Sequence, residues 1–266
     1  NWFSSTCMNI ARQKILWEIF YKQFTIKNII CVMTEEDITA SIIHKKNNVK
    51  SIFIYFSNTE KIINKTIDID KSCCHEYTHM ITDYSISSKI SNNWIKTLEN
   101  DINEFVTIGP ILSDLVYNTS QDKQKILNQM NIKQDTKIIS FLDHTIGHNG
   151  VLSISAYKEF LNSINKLSKK YTDVNFIYKS KKPYLYMKEF NDNEIIDLLT
   201  IIKTNKNCIY INEYNISSYQ TCGISDLVIS APMSSVILES LCGGIRTISY
   251  DPLNQYKNIY SVIKEY

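Results

Sequence analysis

Short apolar, β-branched runs alternate with amphipathic stretches along almost the whole chain, and that alternation constrains the fold more than any other feature. "NIARQKILWEIFYKQF" (9–24) repeats apolar groups at Ile10, Ile15, Leu16, Ile19 and Phe20 with helical spacing. "IKNIICVMT" (26–34) reads as a buried strand, "EEDITASIIHKKNN" as a helix with a dipole-compatible acidic start, and "SIFIYFS" (51–57) as the next strand. Strands joined through a helix run parallel, and a parallel sheet is covered by helices. The alternation continues with strands at "MITDYSISS" (80–88) and "FVTIGPI" (105–111), separated by a helix over "NNWIKTLEN". A polar helical stretch, "SQDKQKILNQMNI", then leads into "KQDTK", read as a linker.

A second set starts at "KIISFLD" (137–143), which ends in the loop "HTIGHNG". "SAYKEFLNSINKLSKKY" places Tyr157, Phe160, Leu161, Ile164 and Leu167 on one helical side. Strands follow at "VNFIYKS" (174–180), "CIYIN", "DLVISAP" and "IRTISYDP". Helices at "NEIIDLLTIIK", "YQTCGI" and "SSVILESLCGG" intervene, the last ended by Gly243 and Gly244. The expected fold is α/β, with two domains (1–130 and 131–266) facing a cleft. The pattern lacks an opening strand and a closing helix, so it reads as a fragment or a compact variant.

Composition narrows the function. A formal charge of +2 with no long basic stripe makes nucleic acid an unexpected partner. Seven cysteines, odd in number and irregular in spacing, fit a reduced cytoplasmic setting better than a disulfide framework. The Asn-X-Ser/Thr triplets at 64 and 118 carry no weight in so asparagine-rich a chain.

Residues 75–79 read "HEYTH", the His-Glu-x-x-His pattern of zinc peptidases. That reading needs a helix presenting His75 and His79 on one face, Glu76 as general base, and a third ligand such as Glu99 or Glu104. "DIDKSCC" before it and the strand pattern from Met80 leave little helix for two imidazoles. The plainer reading is a loop or short helix at the cleft, with His75 and His79 facing an acceptor. His44 reads as a surface residue of its helix.

The most informative stretch is "SDLVISAPMSSVILESLCGGIRTISYDP" (225–252). A strand ends at Ser230, a small loop follows, and Ser234 and Ser235 open a helix whose unpaired N–H groups and dipole suit a phosphate. Glu239, one turn on, is placed to accept hydrogen bonds from ribose hydroxyls. The competing structural reading is an N-cap with a capping-type Glu.

This stretch resembles the nucleotide-binding half of GT-B glycosyltransferases. The chain is more closely similar to bacterial surface-carbohydrate biosynthesis proteins, including Kdo transferases. "FVTIGPILSD" (105–114), with Gly109, is similar to the turn closing their first domain. "IISFLDHT" (138–145) resembles the first strand of their second domain. "NFIYKSKKP" (175–183) stands where relatives carry Lys-Pro-Lys, with Ser180 in place of the proline. The resemblance spans about residues 80–252 and implies two Rossmann-like domains and a metal-independent, cofactor-free sugar transfer.

On that resemblance Lys179, Lys181 and Lys182, with Ser230, Ser234, Ser235 and Glu239, bind the donor. Asp143 serves as nucleophile or base, unless it only caps its loop, and His144 serves as acid or base. His75, His79 and Gly109 lie on the acceptor side. The Ser-Ser element is similar to that of bacterial sialyltransferases, which puts a CMP-activated acidic sugar first among donors and a UDP-sugar next. The implied acceptor is a polysaccharide or glycolipid, reached in the cytoplasm or at the inner face of a membrane. The remaining alternatives are the zinc peptidase and a non-catalytic nucleotide-sugar-binding protein.

Overall fold

A computed structural model describes residues 2–32, 38–54, 81–87, 101–110, 112–132, 135–146, 152–181, 192–211, 216–232 and 234–254. The chain divides into two compact units, Asn1–Pro110 and Ile111–Tyr266. Every strand pairing among the described residues is parallel, as the helix-linked alternation requires.

The first unit contains α1 (Trp2–Gln23), β1 (Asn28–Val32), α2 (Ile38–Lys46), β2 (Lys50–Ile54), β3 (Ile81–Ser87) and β4 (Asp101–Thr107), with strand order β1-β2-β3-β4. β4 starts before the expected Phe105, because Asp101 and Ile102 already pair with Ile81 and Thr82. The "NNWIKTLEN" helix and "HEYTH" lie outside the described residues. His44 is not a surface residue: it is 1% exposed. α1 covers it, with the Trp17 ring edge-on at 4.6 Å and the Tyr21 hydroxyl 2.6 Å from Nδ1. Sequence periodicity gives a helix two sides but cannot say which neighbour lies over them.

The second unit contains α3 (Ser113–Gln121), α4 (Lys123–Gln129), β5 (Lys137–Leu142), α5 (Ile154–Lys170), β6 (Val174–Lys179), α6 (Asn193–Thr204), β7 (Cys208–Ile211), α7 (Ser218–Gly223), β8 (Leu227–Ser230), α8 (Ser235–Cys242) and β9 (Thr247–Ser249). Its strand order is β7-β6-β5-β8-β9. Alternation along β5 buries Phe141 in one cluster with Tyr157, Phe160, Leu161 and Ile164 of α5. Leu142 enters another on the opposite face, with Val116, Cys222, Val228 and Val236. The helical stripe read on α5 is thus a core face, with Leu167 packed at its margin.

Helices α3 and α4, assigned by sequence to the segment before residue 130, pack within this second unit. Glycine makes the α3–α7 contact close: a Cβ on Gly223 would lie 2.5 Å from Thr119 Cβ and 2.7 Å from the Val116 carbonyl oxygen. Backbone cannot yield as a side-chain tip can. Gly223→Ala is therefore expected to cost about 1–3 kcal/mol, read by denaturant unfolding. At the end of α8, Gly244 adopts φ +83° while Ile245 N–H donates to the Ser240 carbonyl at 2.9 Å, the glycine stop anticipated from "CGG".

Candidate functional site

β5 is the centre of the second sheet. β6 and β7 lie to one side of it, β8 and β9 to the other. Where successive crossovers leave a parallel sheet in opposite directions, a crevice opens beyond the carboxyl ends of the two inner strands. Here those ends belong to β5 and β8. Register aligns Lys179, Leu142 and Ser230 in one row across β6, β5 and β8, and the Ala231 N–H donates to the Leu142 carbonyl at 2.8 Å. Three short segments widely separated in sequence, 179–181, 143–145 and 230–232, therefore stand side by side.

Asp143 follows Leu142 and turns to the α5 face. Its Oδ2 accepts from the Tyr178 hydroxyl at 2.6 Å, and its Oδ1 accepts from the Lys181 backbone N–H at 2.6 Å. Tyr178 is paired in turn with the Tyr157 hydroxyl at 2.7 Å. Burial pushes the Asp143 carboxyl up to about 6, and the Tyr178 and Lys181 hydrogen bonds pull back against that shift. The carboxylate thus ties the end of β6 to the end of β5. It anchors the segment carrying Lys179 and Lys181, rather than capping the loop after its own strand.

His144 is half-buried. Its Nδ1 accepts from the Thr145 backbone N–H at 2.8 Å, which assigns the imidazole proton to Nε2. Burial, followed by the nearby Lys181 ammonium, holds its pKa down to about 3. The ring is therefore neutral at physiological pH. Nε2 and Lys181 Nζ lie 3.5 Å apart. Two donors so placed can share one oxygen acceptor. Lys179 is buried, which depresses its pKa, and strand alternation puts it on the face of Ile177, opposite Asp143.

At the end of β8, Ser230 is buried and its hydroxyl donates to the Ala231 carbonyl. Ser234 is the N-cap residue of α8, yet its side chain makes no capping hydrogen bond. By contrast Ser153, Asp192 and Ser217 cap α5, α6 and α7, Ser217 in a full capping box with Gln220. Glu239 is no capping partner either. It is 0% exposed, and neither carboxylate oxygen has a hydrogen-bond partner among the described residues. Burial pushes it up to about 7; the Tyr219 hydroxyl offsets part of that without reaching bonding geometry.

The structure thus brings Asp143, His144, Lys179 and Lys181 to one sheet edge with Ser230, Ser234 and Ser235. It separates Asp143 from Glu239, which packs on the opposite face. Gly109 is exposed beyond β4 in the first unit and needs neither positive φ nor a close approach. Lys182, His75 and His79 lie outside the described residues. Among those described, no three His, Cys, Asp or Glu side chains gather as a metal site would require.

Sequence reading placed Tyr157 on a helical face but gave no site role to Tyr157, Tyr178 or Tyr219. The signal was present for Tyr178: in "NFIYKS" the alternation puts it on the buried side with Phe176, and a buried tyrosine hydroxyl requires a partner.

The family described as polysaccharide biosynthesis PFTS motif protein matches residues 2–265. No curated protein matches the chain. Among solved structures, the UDP-GlcNAc 2-epimerase from Neisseria meningitidis bound to UDP-GlcNAc is similar with a TM-score of 0.59 and 13% identity, covering 96% of this chain and 73% of that one. The S. aureus MnaA–UDP structure gives 0.61 and 11%, over 100% and 72%. The UDP-GlcNAc 2-epimerase from Methanocaldococcus jannaschii gives 0.56 and 10%, over 96% and 74%. The shared property is the fold: two parallel-sheet, Rossmann-like domains of the GT-B type.

Proposed function

Since the chain belongs to the polysaccharide biosynthesis PFTS motif family, we propose that it is a glycosyltransferase taking a sugar from a nucleotide-activated donor to a polysaccharide or glycolipid acceptor. The carrying observation is the head of α8. An N-cap serine without its capping bond, followed by a second serine, opens a helix at the switch point. One turn in lies a buried carboxylate with both oxygens unpartnered.

In this reading the donor phosphate sits on the α8 N–H groups and the Ser234 and Ser235 hydroxyls. Glu239 accepts from the ribose hydroxyls, which restores hydrogen bonds to a carboxylate now lacking them. Lys181 and the Nε2–H of His144 share an oxygen of the leaving phosphate and stabilise its growing charge. His144 acts as a neutral hydrogen-bond donor, because an imidazole with so low a pKa is a poor base. Asp143 acts through Lys181 as a positioning residue, since both its oxygens already serve protein donors.

UDP and CMP remain the two nucleotides to separate. The similar structures holding UDP-GlcNAc and UDP support the first; the Ser-Ser element supports the second. Differential scanning fluorimetry with UDP, CMP and GDP distinguishes them. One nucleotide is expected to raise Tm measurably, since a ligand at 100 times its Kd adds about 2.7 kcal/mol. If none does, the donor reading fails.

A further inference from the structure

α1 seats on the first unit through Trp17 and Tyr21, four residues apart, against His44 of α2. Its other side is open and carries long apolar side chains, with Arg12 among them. Met8 (70% exposed), Ile15 (57%) and Ile19 (47%) recur seven and four positions apart, and Leu16 and Phe20, also exposed, widen the stripe. Surface apolar residues are ordinary when scattered, but a stripe of five long side chains along one helix marks a contact surface. No described helix is long and apolar enough to cross a membrane.

We propose that the outer face of α1 docks on an anionic lipid bilayer, lying in its interface. Charge selects this occupant. Between Asn1 and Lys27 there are four cations, Arg12, Lys14, Lys22 and Lys27, against one acid, Glu18, for a net +3; all five are exposed. A second copy of the helix would oppose +3 to +3. Anionic headgroups complement it, each basic side chain near such a surface adding about 1 kcal/mol. An apolar stripe that includes the Phe20 ring, together with basic side chains beside it, is the combination that holds a helix flat in the headgroup region. The proposal stands apart from the nucleotide reading and uses no residue of that site.

The test is co-sedimentation of the full chain with vesicles of phosphatidylcholine alone and of phosphatidylcholine mixed with phosphatidylglycerol. Binding to the mixed vesicles, weakened by salt and reduced about tenfold or more by Ile15→Glu or Lys22→Glu, is the expected result. Both positions are exposed, so Tm and any nucleotide-induced shift should stay as in the parent chain. Three outcomes overturn the proposal. They are absence of binding to either vesicle, equal binding to both, and a dimer in sedimentation velocity that Ile15→Glu converts to monomer.

Discussion

Replacing Glu239 with leucine is expected to weaken nucleotide binding strongly while making the empty protein more stable. The wild-type carboxylate is fully buried and its oxygens lack partners, so it destabilises the unliganded fold whenever it is charged. Its pKa rises from 4.5 to about 7 on folding. The folded state therefore holds the proton more tightly than the unfolded chain does. Stability from this group is full below pH 4.5, falls as pH rises, and levels off above about 7. The integrated loss is up to about 3 kcal/mol. Leucine has similar volume and no charge to strand, so Glu239→Leu should gain about 1–3 kcal/mol at pH 8 and lose that pH dependence. Ribose hydroxyls need the charged carboxylate, so binding in the parent should tighten as pH rises through 7. In the variant it should weaken by about tenfold to a hundredfold. Calorimetric titration with the nucleotide and urea unfolding at pH 5 and 8 read both effects. A variant that binds as the parent does removes Glu239 from the site.

Asp143→Ala is expected to cost both folding and activity. It removes the acceptor of the buried Tyr178 hydroxyl and of the part-buried Lys181 N–H, at about 2–4 kcal/mol in all. The carboxyl's own pKa rises from 3.8 to about 6, so parent stability from this group falls across that window and the alanine variant loses the dependence. Two milder variants separate positioning from nucleophilic attack. Asp143→Asn keeps one acceptor for Lys181, and Tyr178→Phe removes one tether only. If Asp143 positions, both should retain measurable transfer, lowered about tenfold to a hundredfold by the loosened Lys181 segment. If Asp143 is the nucleophile, Asp143→Asn should abolish transfer while Tyr178→Phe leaves most of it.

How much of this was legible beforehand differs from residue to residue. The strand ending at Asp143, the α5 face of Tyr157 to Ile164 and the serines heading α8 could be read directly, because each follows from spacing within a few positions. The role of Asp143 could not. Its partners Tyr178 and Lys181 lie over thirty residues away and meet it only through the β5–β6 register. The capping reading of Glu239 was equally open until Ser234 proved to lack a cap bond. His44 was misplaced because the helix covering it arrives from a segment with no local link to α2.

By itself the sequence determined the parallel α/β class, the order of elements and the chemistry offered at each strand end, since periodicity and helix-start signals are local. Tertiary structure alone decided the order β7-β6-β5-β8-β9, and with it which strand ends adjoin. It also decided which side chains are buried without partners. Those outcomes depend on non-local pairing and on how much water is excluded, and neither is written in any short stretch of residues.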